Sequence, residues 1–196
     1  MPYFDRYNEG DRDWRLLKEL QSLTCDQAYC VQLIEEGVVP LDGNWRFDPM
    51  PHAVHRGFLT VVKALIASGM DVDHRSFNNR TPLITAAHAG HTDMVRYLLE
   101  AGATIDARDF DQSTPLMWAV GWGGRDTVRL LLNAGADIYA EDRDRTPLQR
   151  MTNDPVILDM LKKEDIKRRS AVFRDAAEKG TAKKRKIMRL KRGHRL

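Results

Sequence analysis

Histidine and glycine are the residues of this 196-residue chain whose types and spacing could do chemistry. His52 and His55 are three residues apart, so on a helix they would share a face, as two metal ligands do. No third ligand is evident near them, and an exposed surface pair explains them better. Residues 121–124, Gly-Trp-Gly-Gly, are glycine-rich but lack the Lys-Ser or Lys-Thr ending of a phosphate-binding loop. The sequence therefore predicts no catalytic residue, no metal site and no cofactor.

A repeated tripeptide organises the chain instead. Thr-Pro-Leu occurs at 81–83, 114–116 and 146–148, so the first two copies begin 33 residues apart and the last two 32. The residues between the copies repeat as well, with small residues, a glycine, a Leu-Leu pair and then Gly-Ala. A fixed period of this length is typical of stacked repeats, because one unit cannot bury its apolar face alone.

Each part of the repeat has a physical reason. Thr can cap a helix, and Pro fits the first turn because its missing N–H is not needed there. Gly90 suits the end of a first helix, and the glycines at 121–124 fall on the same turn one repeat later. The second helices carry apolar residues at helical spacing, which predicts a buried stripe. Its members are Val95, Leu98, Leu99, Val128, Leu131 and Leu132.

Taken together, these residues resemble the ankyrin repeat over roughly 13–161. The resemblance implies an all-α repeat fold, an ankyrin-repeat solenoid of helix–turn–helix units with β-hairpin fingers, followed by a basic C-terminal tail. We expect an N-terminal arm at 1–12 and about five repeats at 13–161, of which the first and last are degenerate caps. Residues 162–196 would form a basic helical or disordered tail. The family usually binds proteins and is usually not enzymatic, so neither a reaction nor a small-molecule substrate is expected.

The resemblance also implies where a partner would bind, because the family usually uses its finger tips and the exposed side of its first helices. Aromatic residues recur at these positions, and exposed aromatics are common interface anchors. We predict that they face one surface; alternatively, each ring folds back onto its own repeat. Trp118 is predicted to lie in the core, and His91 to bond backbone groups. The predicted partner-binding residues are Trp45, Phe47, His55, Arg56, Phe77, Asn78, Arg80, His88, Phe110, Asp111, Trp122 and Arg143.

Charge is distributed unevenly along the chain. Residues 162–196 hold 15 Lys/Arg and 4 Asp/Glu, a net of +11, which leaves 16 and 24, a net of −8, for residues 1–161. Such asymmetry indicates an acidic body with a basic interaction tail. A helix through Ile166 and Phe173 is predicted to end at Gly180, and residues 183–196 are predicted to extend away from the repeats. The tail candidates for nucleic-acid or import-receptor binding are Lys183, Lys184, Arg185, Lys186, Arg189, Lys191 and Arg192.

Four interpretations of the tail remain open: a solvated disordered segment, a nucleic-acid contact, a nuclear-import signal, and an anionic membrane surface for which a second anchor is lacking. For the whole chain, a protein-interaction module is favoured. The alternatives are a subunit of a ribonucleoprotein or nucleic-acid assembly and a microbial effector that grips a host protein. The two cysteines, Cys25 and Cys30, suit a reducing compartment, and no run of about 18 apolar residues is present. These features favour an intracellular, cytoplasmic protein, or a nuclear one if the tail is an import signal.

Overall fold

The computed structural model describes residues 12–22, 26–37, 48–76, 78–122 and 124–193, with side chains from residue 15 to residue 174. Helices dominate this part of the chain, and no β-strand is assigned within it. A short 3-10 helix, Leu148–Arg150, lies between the last two α-helices. The α-helices are α1 (Arg12–Gln21), α2 (Gln27–Glu35), α3 (Pro49–His55), α4 (Leu59–Ala67), α5 (Pro82–Ala89), α6 (Thr92–Glu100), α7 (Pro115–Gly121), α8 (Arg125–Asn133) and α9 (Pro155–Gly193).

The helices pack as successive pairs: α1 with α2, α3 with α4, α5 with α6, and α7 with α8. The first helices of the pairs contact one another in the order α1, α3, α5, α7, and α8 contacts both α6 and α9. Leu65, Leu98 and Leu131 are fully buried at equivalent places in three second helices. The core is therefore continuous along the stack, as expected when each repeat covers the apolar face of its neighbour.

The predicted helix starts are confirmed. Thr81 Oγ1 accepts a hydrogen bond from the backbone N–H of Ile84 at 3.3 Å, and Thr114 caps α7 in the same way. Asp48 replaces Thr at the start of α3, where its carboxylate accepts the N–H of Met50 at 3.1 Å. In each case Pro follows the cap and begins the helix. The repeated Thr-Pro thus sets the start of each first helix through the backbone donors that it satisfies.

The loops that join one helix pair to the next form fingers, which are built from turns. Each turns at a residue with positive φ, namely Asn79, Gln112 and Arg145, at φ of 57°, 61° and 55°. The turns are closed by short backbone bonds, such as Gln112 N–H to Asp109 O at 3.0 Å. Because no strand is assigned in the described residues, the β-hairpin character predicted for the fingers is not confirmed. The fingers comprise residues 70–80, 103–113 and 136–146.

One arginine connects each finger to the next. Arg75 Nη1 donates to the carbonyl of Asn79 in its own finger and to that of Arg108 in the following one, at 3.1 and 3.0 Å. Arg108, 33 residues later, repeats the arrangement with Gln112 and Glu141, at 3.1 and 2.8 Å. Because one side chain donates to carbonyls of two fingers, neighbouring fingers are fixed relative to each other.

His91 links the second and third repeats, and its backbone role is confirmed. Its Nε2 lies 2.9 Å from the carbonyl oxygen of His55, at the end of α3. Gly57 leaves space for this ring, because a Cβ at Gly57 would be 2.9 Å from His91 Cε1. Gly57 and Gly90 share the same φ of 73°, but nothing lies within 4 Å of a Cβ placed at Gly90.

This pair allows a matched test. Gly57→Ala and Gly90→Ala should each cost about 1–2 kcal/mol of unfolding free energy, because L-residues are strained at positive φ. Gly57→Ala should cost about 1 kcal/mol more, because displacing His91 also breaks its bond to His55. Urea denaturation of both variants measures the difference, and equal losses would show that the His91 contact contributes nothing.

The last helix, α9, closes the stack and then leaves it. Ile157 and Leu161 are buried. Asp154 caps the helix at Val156 N–H, at 2.9 Å, and is paired with Arg125 at 2.7 Å. The sequence-based prediction is wrong on one point here: Gly180 does not end the helix, which continues to Gly193. One Gly costs only about 1 kcal/mol in a helix interior, and the surrounding Lys, Arg, Ala, Met and Leu are good helix formers.

Among the described helices, none is both long enough and apolar enough to cross a membrane.

Candidate functional site

An aromatic cluster lies where α5, α7 and two fingers meet. Trp118 and Trp122 are four residues apart, on α7 and at its C-cap, so they share one side of the helix. His88, in the last turn of α5, contacts both indoles edge-on, with 4.8 Å between ring centroids in each case. Trp118 is half-buried, whereas Trp122 is 67% exposed. The cluster thus presents the Trp122 ring to solvent, while His88 contacts this ring and also contacts Trp118.

Asp109 and Arg80 hold Trp118 from the finger side. Asp109 is buried, and its Oδ2 accepts the indole Nε1–H of Trp118 at 2.9 Å. Its Oδ1 accepts the backbone N–H groups of Asp111 and Ser113, at 3.0 and 2.9 Å. One carboxylate therefore fixes both the turn of its finger and the orientation of the indole.

Arg80 covers the face of the Trp118 ring, with its guanidinium carbon 4.1 Å from the ring centroid. Its buried Nε has no hydrogen-bond partner among the described residues and lies 3.6 Å from Asp109 Oδ2. The positive charge of Arg80 is thus balanced by the Asp109 carboxylate and the indole face. Arg80 therefore positions Trp118, and little of its charge is available to a partner at the exposed surface.

The electrostatics keep His88 uncharged. Burial, followed by the electrostatic influence of Arg80 and His55, lowers the pKa of His88 below its ordinary value of 6.5. At neutral pH its imidazole is therefore neutral and contacts the two indoles as a third aromatic ring.

A small open pocket adjoins the cluster on α7. Six residues line it, and none of them carries a charge; two are methionines, whose flexible thioethers adapt to different shapes. The pocket combines exposed ring surface with sulfur and offers few polar groups, as the apolar centre of a protein-binding surface does. Its lining residues are Ser113, Met117, Trp118, Gly121, Trp122 and Met151.

Two of the predicted binding residues, His88 and Trp122, are brought into direct contact by the fold. Arg80 does not contact this pair directly but packs on the ring of Trp118, which contacts His88. His55, Asn78 and Phe110 are exposed, Phe110 to 59%. Asp111 and Arg143 form a loose exposed pair at 3.9 Å between neighbouring fingers. Trp45, Phe47 and Phe77 lie outside the described residues, as do the side chains of the predicted tail residues Lys183, Lys184, Arg185, Lys186, Arg189, Lys191 and Arg192.

Arg56 has a structural role that the sequence did not indicate. Its Nη1 donates to the carbonyls of Leu20 and Ser22 at the end of α1, at 3.4 and 3.1 Å, and its guanidinium lies over the Phe58 ring. Carbonyls at the C-terminal end of a helix need partners from outside it, so Arg56 caps α1. Its side chain is thus already engaged between the first two repeats.

Trp118 is the clearest error of the sequence-based site, because it was expected in the core and lies half-buried in the cluster. Its spacing of four residues from the predicted Trp122 was the available signal. Asp109 was missed as well, although Asp142 stands 33 residues later and closes its own finger through Thr146 N–H at 2.7 Å. The recurrence of an acid at this finger position is the signal that could have identified Asp109.

Comparison with known families agrees with this architecture. The family described as ankyrin repeats, in three copies, matches residues 49–142. These residues are therefore ankyrin repeats, and the recognition made from the sequence is confirmed. They run from the start of α3 to the third finger, and so include His88, Trp118 and Trp122. No curated protein matches the chain. Ankyrin repeats are generally protein-interaction modules and are typically non-enzymatic.

Proposed function

We propose that this chain is a non-enzymatic binding module that holds a protein partner against the aromatic cluster. The observation that carries the proposal is Trp122, which is 67% exposed yet held by His88. An ordered, exposed indole loses little conformational entropy on binding, and this favours it as an anchor. Asn78, Phe110, Asp111 and Arg143 would form the finger side of the same interface. A reducing, intracellular setting suits the buried thiol of Cys30.

The chemistry of the surface favours an apolar anchor on the partner. The lining of the adjoining pocket is uncharged, His88 is neutral at pH 7, and Arg80 is already balanced by Asp109. A charged side chain placed here would lose its hydration without gaining a counter-charge. An apolar side chain would gain contact with the Trp122 ring and with the partly exposed Met151.

The proposal can be tested with peptides selected by the full chain from a random phage-displayed library. We expect enriched peptides to share an apolar residue, and Trp122→Ala to weaken their binding roughly tenfold or more, as truncation of an interface tryptophan does. Tyr29→Ala is the matched control, because Tyr29 is an exposed aromatic on α2 at 38%. Isothermal titration calorimetry gives both Kd values.

Two outcomes would count against it. A selection that enriches no peptide contradicts the binding role itself. Enriched peptides that bind Trp122→Ala as tightly as the unaltered chain place the interface away from the aromatic cluster.

A further inference from the structure

Beyond residue 169, α9 extends away from the repeats, and its described apolar side chains there, at residues 171–173, are exposed. Its last hydrogen bonds to the repeats in the described residues are Tyr139 Oη–H to Asp165 at 2.6 Å and Arg168 Nη2–H to Ala136 O at 2.8 Å. Every described side chain from Arg169 to Arg174 is exposed. The remaining backbone is helical to Gly193, so 24 residues, about 36 Å of helix, project from the stack.

Three large apolar side chains on this helix are exposed: Ile166 at 63%, Val172 at 68% and Phe173 at 76%. Ile166 and Phe173 are seven residues apart and thus lie on the same side of the helix, with Val172 on the flank. A group of this kind on a projecting helix calls for a partner that buries it.

The same segment is strongly basic. Lys163, Lys167 and Arg169 are each paired with an acid one turn earlier, at 2.7, 3.1 and 2.9 Å. Past these pairs, residues 170–193 hold nine Lys/Arg and two Asp/Glu, and residues 179–196 hold no acid at all. Most of the positive charge therefore has no nearby counter-charge along the helix.

We propose that α9 binds the surface of an anionic lipid membrane, lying along it with Ile166, Val172 and Phe173 at the headgroup boundary. Such a surface provides both components at once: an apolar boundary for the three side chains, and negative headgroups for the cations. A nucleic acid would satisfy the charge alone, because phosphate binding by counterion release makes no use of aliphatic side chains. The apolar residues are the second anchor that charge by itself does not provide.

Sedimentation of the full chain with vesicles tests the proposal. We expect binding to vesicles of phosphatidylcholine mixed with phosphatidylserine, weak binding to phosphatidylcholine alone, and loss of binding as salt is added. The double variant Val172→Ser, Phe173→Ser should bind the mixed vesicles about tenfold more weakly or worse. Both positions are exposed, so an unchanged thermal melt would show that the fold is kept. Tyr29→Ser, which removes an exposed ring on α2 far from α9 in the sequence, is the control and should bind as the unaltered chain does.

A parallel titration with an RNA oligonucleotide separates the lipid from the nucleic acid. The double serine variant should bind vesicles more weakly than the unaltered chain, whereas any binding to RNA should be unchanged. Absence of binding to the mixed vesicles, or equal binding by the double variant and the unaltered chain, would overturn the proposal. Salt-sensitive RNA binding without vesicle binding would overturn it in favour of nucleic acid.

Discussion

Replacing Asp109 with alanine is expected to lower the free energy of unfolding by about 3 kcal/mol. The change removes the acceptor for Trp118 Nε1 and for two backbone N–H groups of the finger, and it leaves Arg80 without its counter-charge. The Arg80 side chain is 25% exposed, so water compensates part of the loss, and the lower end of the range for a broken buried ion pair applies. Urea denaturation followed by far-UV circular dichroism gives the value.

Asp111→Ala is the control for that measurement. Asp111 is on the same finger, its side chain is 69% exposed, and its ion pair with Arg143 spans 3.9 Å. Exposed pairs of this kind contribute at most about 1 kcal/mol. If Asp109→Ala is no more destabilising than Asp111→Ala, Asp109 does not support the cluster.

The second large effect is expected in the core. Leu98→Ala and Leu131→Ala should each destabilise the chain by about 2–5 kcal/mol, because both side chains are fully buried and truncation leaves a cavity. Ile166→Ala is the control, because Ile166 is 63% exposed and its loss should cost less than about 0.5 kcal/mol. Thermal and urea melts compare the three variants. Small shifts in both core variants would mean that the helical phase assigned to these leucines is wrong.

The helical stack could be predicted from the sequence because its causes are local and repeated. Thr81 and Thr114 satisfy backbone donors within four residues, and Leu98 and Leu131 show the spacing of one buried stripe. When such features recur every 33 residues, each copy supports the interpretation of the others. Contacts that follow the repeat, such as His91 with the backbone of the preceding repeat, could be anticipated for the same reason.

Features that depend on one particular neighbour could not be predicted in this way. Trp118 matches the packed side of α7 by phase, but its indole N–H needs an acceptor, and Asp109 provides one at the edge of the finger. Arg56 has the phase of a surface residue, and only the position of α1 shows that it caps a helix. The course of α9 is similar: the repeat period ends there, and Gly180 alone predicts a helix end although the surrounding residues favour helix.

Oxidative footprinting of Trp122 most directly tests the claim that a partner covers the aromatic cluster. In the free chain Trp122 is 67% exposed and should be oxidised readily by hydroxyl radicals. In complex with a protein or peptide selected by the full chain, we expect Trp122 and the adjoining Met151 to be protected, while Phe173 on α9, 76% exposed, keeps its reactivity. Unchanged oxidation of Trp122 in the complex, with protection found elsewhere on the chain, would contradict the account.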